Sequence, residues 1–122
     1  MKQRRLRYRP AMVATAAMLA ALGCKPALPP SKPIADFTPQ EASGYALFQS
    51  RCAGCHYASS AKALHGPGLQ GLYKKRYLPS GAPANDDRVV WVILHGRNLM
   101  PAFGNNLDEQ QLNNLLAYLH TL

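Results

Sequence analysis

Two cysteines and a histidine, in the order Cys52-Ala53-Gly54-Cys55-His56, restrict this chain more than any other feature of its 122 residues. Cysteines three apart lie on the same side of one helical turn, so both sulfurs can reach one edge of a flat group while the next side chain sits over its face. Zinc is a competing use of such residues, but a structural zinc site wants four protein ligands and the chain has no second cysteine pair. A dithiol redox site wants a strand before the cysteines and alternating strands and helices around them, and neither is legible here. Cys-x-x-Cys-His is the attachment signature of c-type haem. The two thiols add across the porphyrin vinyl groups as thioethers, and His56 offers an imidazole nitrogen to the iron.

The N-terminus carries a separate message. Lys2, Arg4, Arg5, Arg7 and Arg9 precede an uninterrupted small and apolar run from Ala11 to Leu22. That order, basic then apolar, is an export signal. The run falls short of the roughly 20 residues needed to cross a bilayer, so a cleaved signal peptide is expected over residues 1–23. Leu22-Gly23-Cys24 resembles a bacterial lipobox, in which Cys24 is acylated and becomes the mature N-terminus, although Ala21 departs from the larger aliphatic residue usual there. Loss of residues 1–23 removes five of the fourteen basic side chains, so the formal charge falls from +8 to +3. With no arginine-rich run left, nothing argues for nucleic acid.

Prolines at 26, 29, 30, 33 and 39 block helix and sheet ladders and favour an extended conformation. Residues 24–39 are therefore expected to be a lipid-anchored tether, reaching about 40 Å, and residues 40–122 the folded domain. The domain reads as helices separated by glycine and proline loops. Thr38-Pro39-Gln40-Glu41 has the signature of a capped helix start running into Cys52. A second helix is expected from Asn85, with Asp86 and Asp87 near its positive end, through His95 to a stop at Gly96. A third is capped by Asp108 and Gln111 and carries Leu112, Leu115, Leu116 and Leu119 at helical spacing.

A second axial ligand has one methionine candidate. Met1, Met12 and Met18 leave with the signal, and Met100 follows His56 by 44 residues in Asn98-Leu99-Met100-Pro101-Ala102-Phe103. His65, His95 and His120 are rivals with ordinary accounts: a loop, the last residue of a helix, and a fraying terminus.

Gly44 and Phe48, eight and four residues before Cys52, together with Leu115-Leu116-Ala117-Tyr118-Leu119, resemble the class I, mitochondrial-like cytochrome c family over residues 41–120. The resemblance implies an all-α cytochrome c fold, three to five helices around one covalent haem, with the first and last helices crossing at Gly44. It makes Gly66-Pro67 with Leu69 the loop on the histidine side, the Pro67 carbonyl orienting His56. It makes Met100-Pro101-Ala102-Phe103 the methionine loop. Phe48, Tyr118, Trp91 and the leucine stripe are expected to enclose the haem. The short basic stretch between Leu72 and Asn85 departs from the family, and leaves Lys75, Arg76, Tyr77 or Trp91 as candidates beside the propionates.

The expected function follows from these parts. No nucleophile with a base, no carboxylate pair and no substrate pocket is legible, so the chain reads as an electron carrier and not an enzyme. Its expected setting is periplasmic, lipid-anchored, between a membrane dehydrogenase or quinol-oxidising complex and a terminal oxidase or reductase. The alternatives are a haem-based gas sensor, a small haem enzyme, or a cytochrome subunit of a larger dehydrogenase.

Overall fold

A computed structural model describes residues 28–122. The expected signal peptide, Cys24 and the first residues of the expected tether lie outside the described residues. The described chain forms α1 (Pro39–Arg51), α2 (Asp86–His95) and α3 (Glu109–Leu119), with single 3-10 turns at Ile34–Asp36 and Leu72–Lys74. Among the described residues there is no strand, and extended pairing is limited to isolated bridges of Tyr77 with Pro83 and Arg97 with Met100.

Each helix begins where a side chain satisfies its free N–H groups. The Thr38 hydroxyl accepts from the Glu41 N–H at 3.2 Å, and the Glu41 carboxylate accepts from the Thr38 N–H at 2.7 Å. Lys32 also donates to Glu41 at 2.7 Å; this contact first, and the Thr38 N–H second, hold the Glu41 carboxyl below its ordinary range. Asn85 accepts from the Arg88 N–H at 3.1 Å. Asp108 accepts from the Gln111 N–H at 2.7 Å, and the Gln111 carboxamide oxygen accepts from the Asp108 N–H at 3.1 Å. Asp108→Ala should therefore lower stability by about 1 kcal/mol, seen as a smaller urea midpoint with an unchanged slope.

α1 and α3 cross at Gly44. A Cβ there would run into the Asn114 carbonyl and the Tyr118 Cβ, so glycine permits the close approach. Around the crossing, Phe48 and Tyr118 lie 5.3 Å apart between ring centroids, and Phe37 and Tyr45 meet Tyr118 edge-on. Leu72, Val89, Ile93, Leu115, Leu119 and Leu122 complete the buried cluster, so α2 and the Leu72 turn share the core of the crossed pair.

Two expectations change at the chain's ends. Residues 28–39 do not hang as a free tether: the Lys32 N–H donates to the Thr121 carbonyl at 2.8 Å, and Leu28 packs over Gly71. A proline-rich strand has no hydrogen bonds of its own, so the N–H of Lys32, beside Pro33, is satisfied by the domain. The terminus does not fray either. His120 stacks on Tyr73 at 3.8 Å and places Nε2 2.9 Å from Asp86, while Thr121 and Leu122 are buried.

Candidate functional site

The end of α1 sets the first two candidate residues. The N–H groups of Cys52 and Ala53 both donate to the Phe48 carbonyl, at 2.8 and 2.9 Å, and those of Cys55 and His56 both donate to the Cys52 carbonyl, each at 3.0 Å. The chain thus makes one tight turn beyond the helix, and this turn presents two thiols and an imidazole within five residues. Both cysteines are free; Cys52 packs against the core and Cys55 is exposed. Burial pushes the Cys52 thiol up to about 11.

His56 is held by the loop that follows. Its Nδ1 lies 2.8 Å from the Pro67 carbonyl oxygen. A carbonyl can only accept, so Nδ1 carries a proton, and in the neutral ring the lone pair then stands on Nε2. The loop is drawn in by the Gly66 N–H on the Cys55 carbonyl at 2.8 Å and the Leu69 N–H on the Tyr57 carbonyl at 2.9 Å. A Cβ on Gly66 would overlap the imidazole, which makes glycine the residue that leaves room for the ring.

Met100 comes from the connection between α2 and α3. Gly96 ends α2 with φ +72°, where a Cβ would strike the returning chain at Met100 and Ala102. Arg97 and Met100 exchange backbone hydrogen bonds at 3.0 and 2.9 Å. The Phe103 and Gly104 N–H groups then donate to the Ile93 and Leu94 carbonyls, each at 3.0 Å, stitching the methionine loop to the helix. Met100 is half-buried and packs on the same core as Cys52.

These residues fit a porphyrin with iron. The turn offers two free thiols for covalent attachment and, beside them, an imidazole whose Nδ1 is engaged by Pro67, which leaves Nε2 as the nitrogen for a metal. Met100 offers a thioether, and Gly66 forms the cradle that a side chain would fill. Large apolar side chains stand exposed at Tyr57, Leu64, Trp91 and, at 92 %, Leu99. Among the described residues no three His, Cys, Asp or Glu side chains converge on a metal site of their own.

Several expected site residues fall elsewhere. Phe48 is only 1 % exposed to solvent, closed in by protein atoms at the α1–α3 crossing, so it supports the helix contact and offers no face to a haem. Tyr118 belongs to the same contact. Trp91 is half exposed and stacks on His95 at 4.8 Å. It lines a cavity of about 140 Å³ with Leu78 and Val92, and Arg88 and Arg97 also line it. Lys75, Arg76 and Tyr77 do not line that cavity. Of the rival histidines, His95 is engaged with the Trp91 carbonyl at 2.9 Å and His120 with Asp86, while His65 lies exposed in its loop.

Residues 39–119 match the family described as cytochrome c oxidase, cbb3-type, subunit III. The chain belongs to the cytochrome c family. Cytochrome c6 of Diacronema lutheri is 30 % identical over 78 residues, covering 64 % of this chain and 90 % of that protein. Cytochrome c6 of a Synechococcus strain is 31 % identical over 83 residues, covering 68 % of this chain and 70 % of that protein. The crystal structure of cytochrome c6 from the diatom Phaeodactylum tricornutum superposes with a TM-score of 0.52 at 23 % identity, over 65 % of this chain and 88 % of that one, which supports the fold. This cytochrome c thus has the all-α fold expected of it, carries one covalent c-type haem with iron, and is an electron-transfer protein of the class I type.

Proposed function

We propose that this cytochrome c is a one-electron carrier of an extracytoplasmic respiratory chain, with haem thioethers at Cys52 and Cys55 and iron held by His56 and Met100. The observation that carries the ligation is the 2.8 Å contact of His56 Nδ1 with the Pro67 carbonyl. It fixes the tautomer whose Nε2 can bind a metal, and it restrains the ring from turning. When bound, the haem supplies an Fe(III)/Fe(II) couple that passes one electron without substrate chemistry. The chain's part would be to hold His56 and Met100 in place as the two donors to iron. Pro67 orients one, and the hydrogen bonds of Phe103 and Gly104 to α2 position the loop that carries the other. A thioether ligand favours the reduced iron and raises the potential.

The rest of the reading concerns location and company. An export signal over residues 1–23 and acylation of Cys24 would put the domain on the periplasmic side of a membrane. Among the described residues no helix is long and apolar enough to cross a bilayer. Its partners on this reading are a membrane dehydrogenase or quinol-oxidising complex as donor and a terminal oxidase or reductase as acceptor.

Substituting Met100 tests the ligation. The wild-type oxidised protein should show the weak red band of an iron–sulfur bond, and the reduced protein should leave carbon monoxide unbound at neutral pH. Met100→Ala should lose the band, bind carbon monoxide promptly, and lower the potential by at least about 60 mV, a tenfold change in preference for the reduced state at 59 mV per decade. Prompt carbon monoxide binding by the wild type would count for a sensor or a haem enzyme instead.

A further inference from the structure

The proline-rich segment is already bound to the domain at the first described residue. Leu28 fills the space over Gly71 that a side chain there would take, and Gly71 has φ +63°. Farther along, the Lys32 N–H holds the Thr121 carbonyl at 2.8 Å and the Lys32 ammonium holds Glu41 at 2.7 Å. Ser31 is closed in far enough that its hydroxyl oxygen is out of reach of water. Phe37 ends the segment edge-on against Tyr45 and Tyr118. Contacts of four kinds, apolar, backbone, ionic and aromatic, therefore tie residues 28–37 along one side of the domain.

We infer that Leu28–Phe37 is a strap that holds the haem domain close to the bilayer, with the face around Gly71, Lys74 and Leu122 turned toward anionic lipid headgroups. The inference rests on the acylation of Cys24. From Cys24 to Leu28 is four residues, which span at most about 14 Å when fully extended. That leash is similar to the domain's own radius of gyration, roughly 12 Å, so the domain cannot roll over on it. Without the strap the free chain would run to Phe37 and reach on the order of 45 Å. The strap decides which face is held near the membrane. Lys74 donates to the Leu122 carbonyl at 3.1 Å, next to the Thr121 that anchors Lys32, and Lys75 and Arg76 follow it directly. Three consecutive cations beside the point of attachment suit a negatively charged lipid surface.

The test uses the full-length, lipidated holoprotein on vesicles of phosphatidylcholine and phosphatidylglycerol with a trace of headgroup-labelled fluorophore, which the haem quenches by energy transfer. Wild type should float with the vesicles and quench strongly. The variant Leu28→Ser/Lys32→Ala, and a second carrying about twelve added Gly and Ser residues between Lys25 and Pro26, should float equally, keep the visible spectrum, and quench several-fold less because the domain gains reach. Equal quenching by all three would overturn the strap. Wild type that fails to float would instead overturn the acylation reading, a separate result. Replacing phosphatidylglycerol by phosphatidylcholine should weaken wild-type quenching, and no change would overturn the orientation by the basic face.

Discussion

Replacing Cys52 and Cys55 together by alanine is expected to yield a chain without bound pigment and largely without helix. The described chain closes only eight apolar side chains away from solvent, Phe48, Leu72, Val89, Ile93, Leu115, Tyr118, Leu119 and Leu122. Small domains bury a smaller share of their surface than large ones and are correspondingly marginal. Here the turn after α1 and the loops carrying Leu64 and Leu99 leave apolar surface outside that core, and the haem is the group that can cover it. A thioether keeps the haem at this surface regardless of its concentration, whereas His56 alone would bind it reversibly. The pyridine haemochrome should therefore be absent, and the far-ultraviolet circular dichroism should lose most of its helical signal. A double variant that stays coloured and helical would remove the basis of the functional reading.

Gly44→Val is expected to cost at least about 3 kcal/mol, enough to unfold a marginal domain. The competing effect is real: replacing glycine inside a helix gains up to about 1 kcal/mol from the narrower unfolded ensemble. Tertiary contact decides the sign. The atoms that a Cβ would meet are the Asn114 backbone carbonyl and the Tyr118 Cβ, and neither can turn aside as the end of a flexible side chain can. The helices would have to separate, opening the Phe48–Tyr118 contact that closes the core. A guanidinium melt of the holoprotein reads the change as a lower midpoint at constant slope. Stability within 0.5 kcal/mol of wild type would mean that the two helices do not cross at this glycine.

Much of this was legible because its causes are local. The caps of α1, α2 and α3 depend on side chains within three residues of the N–H groups they satisfy, and each formed where the pattern placed it. The spacing of Cys52, Cys55 and His56 acts within one turn. The contact of Pro67 with His56 spans eleven residues, and only the family resemblance pointed to it. The failures came where distant segments compete for the same surface. Val89 and Ile93 take the inward face of α2, which leaves Trp91 outside with His95, a division that only the packing decides. Phe48 was expected to help enclose the haem, whereas α3 covers it.

By itself, then, the amino-acid sequence determined the helices, the attachment turn and the cofactor's chemistry, because each is specified by short-range hydrogen bonding and covalent reach. The tertiary structure alone decided which faces are covered, that the proline-rich segment lies along the domain, and that His120 pairs with Asp86. Those outcomes depend on which buried groups meet across long sequence separations, and no periodicity records that.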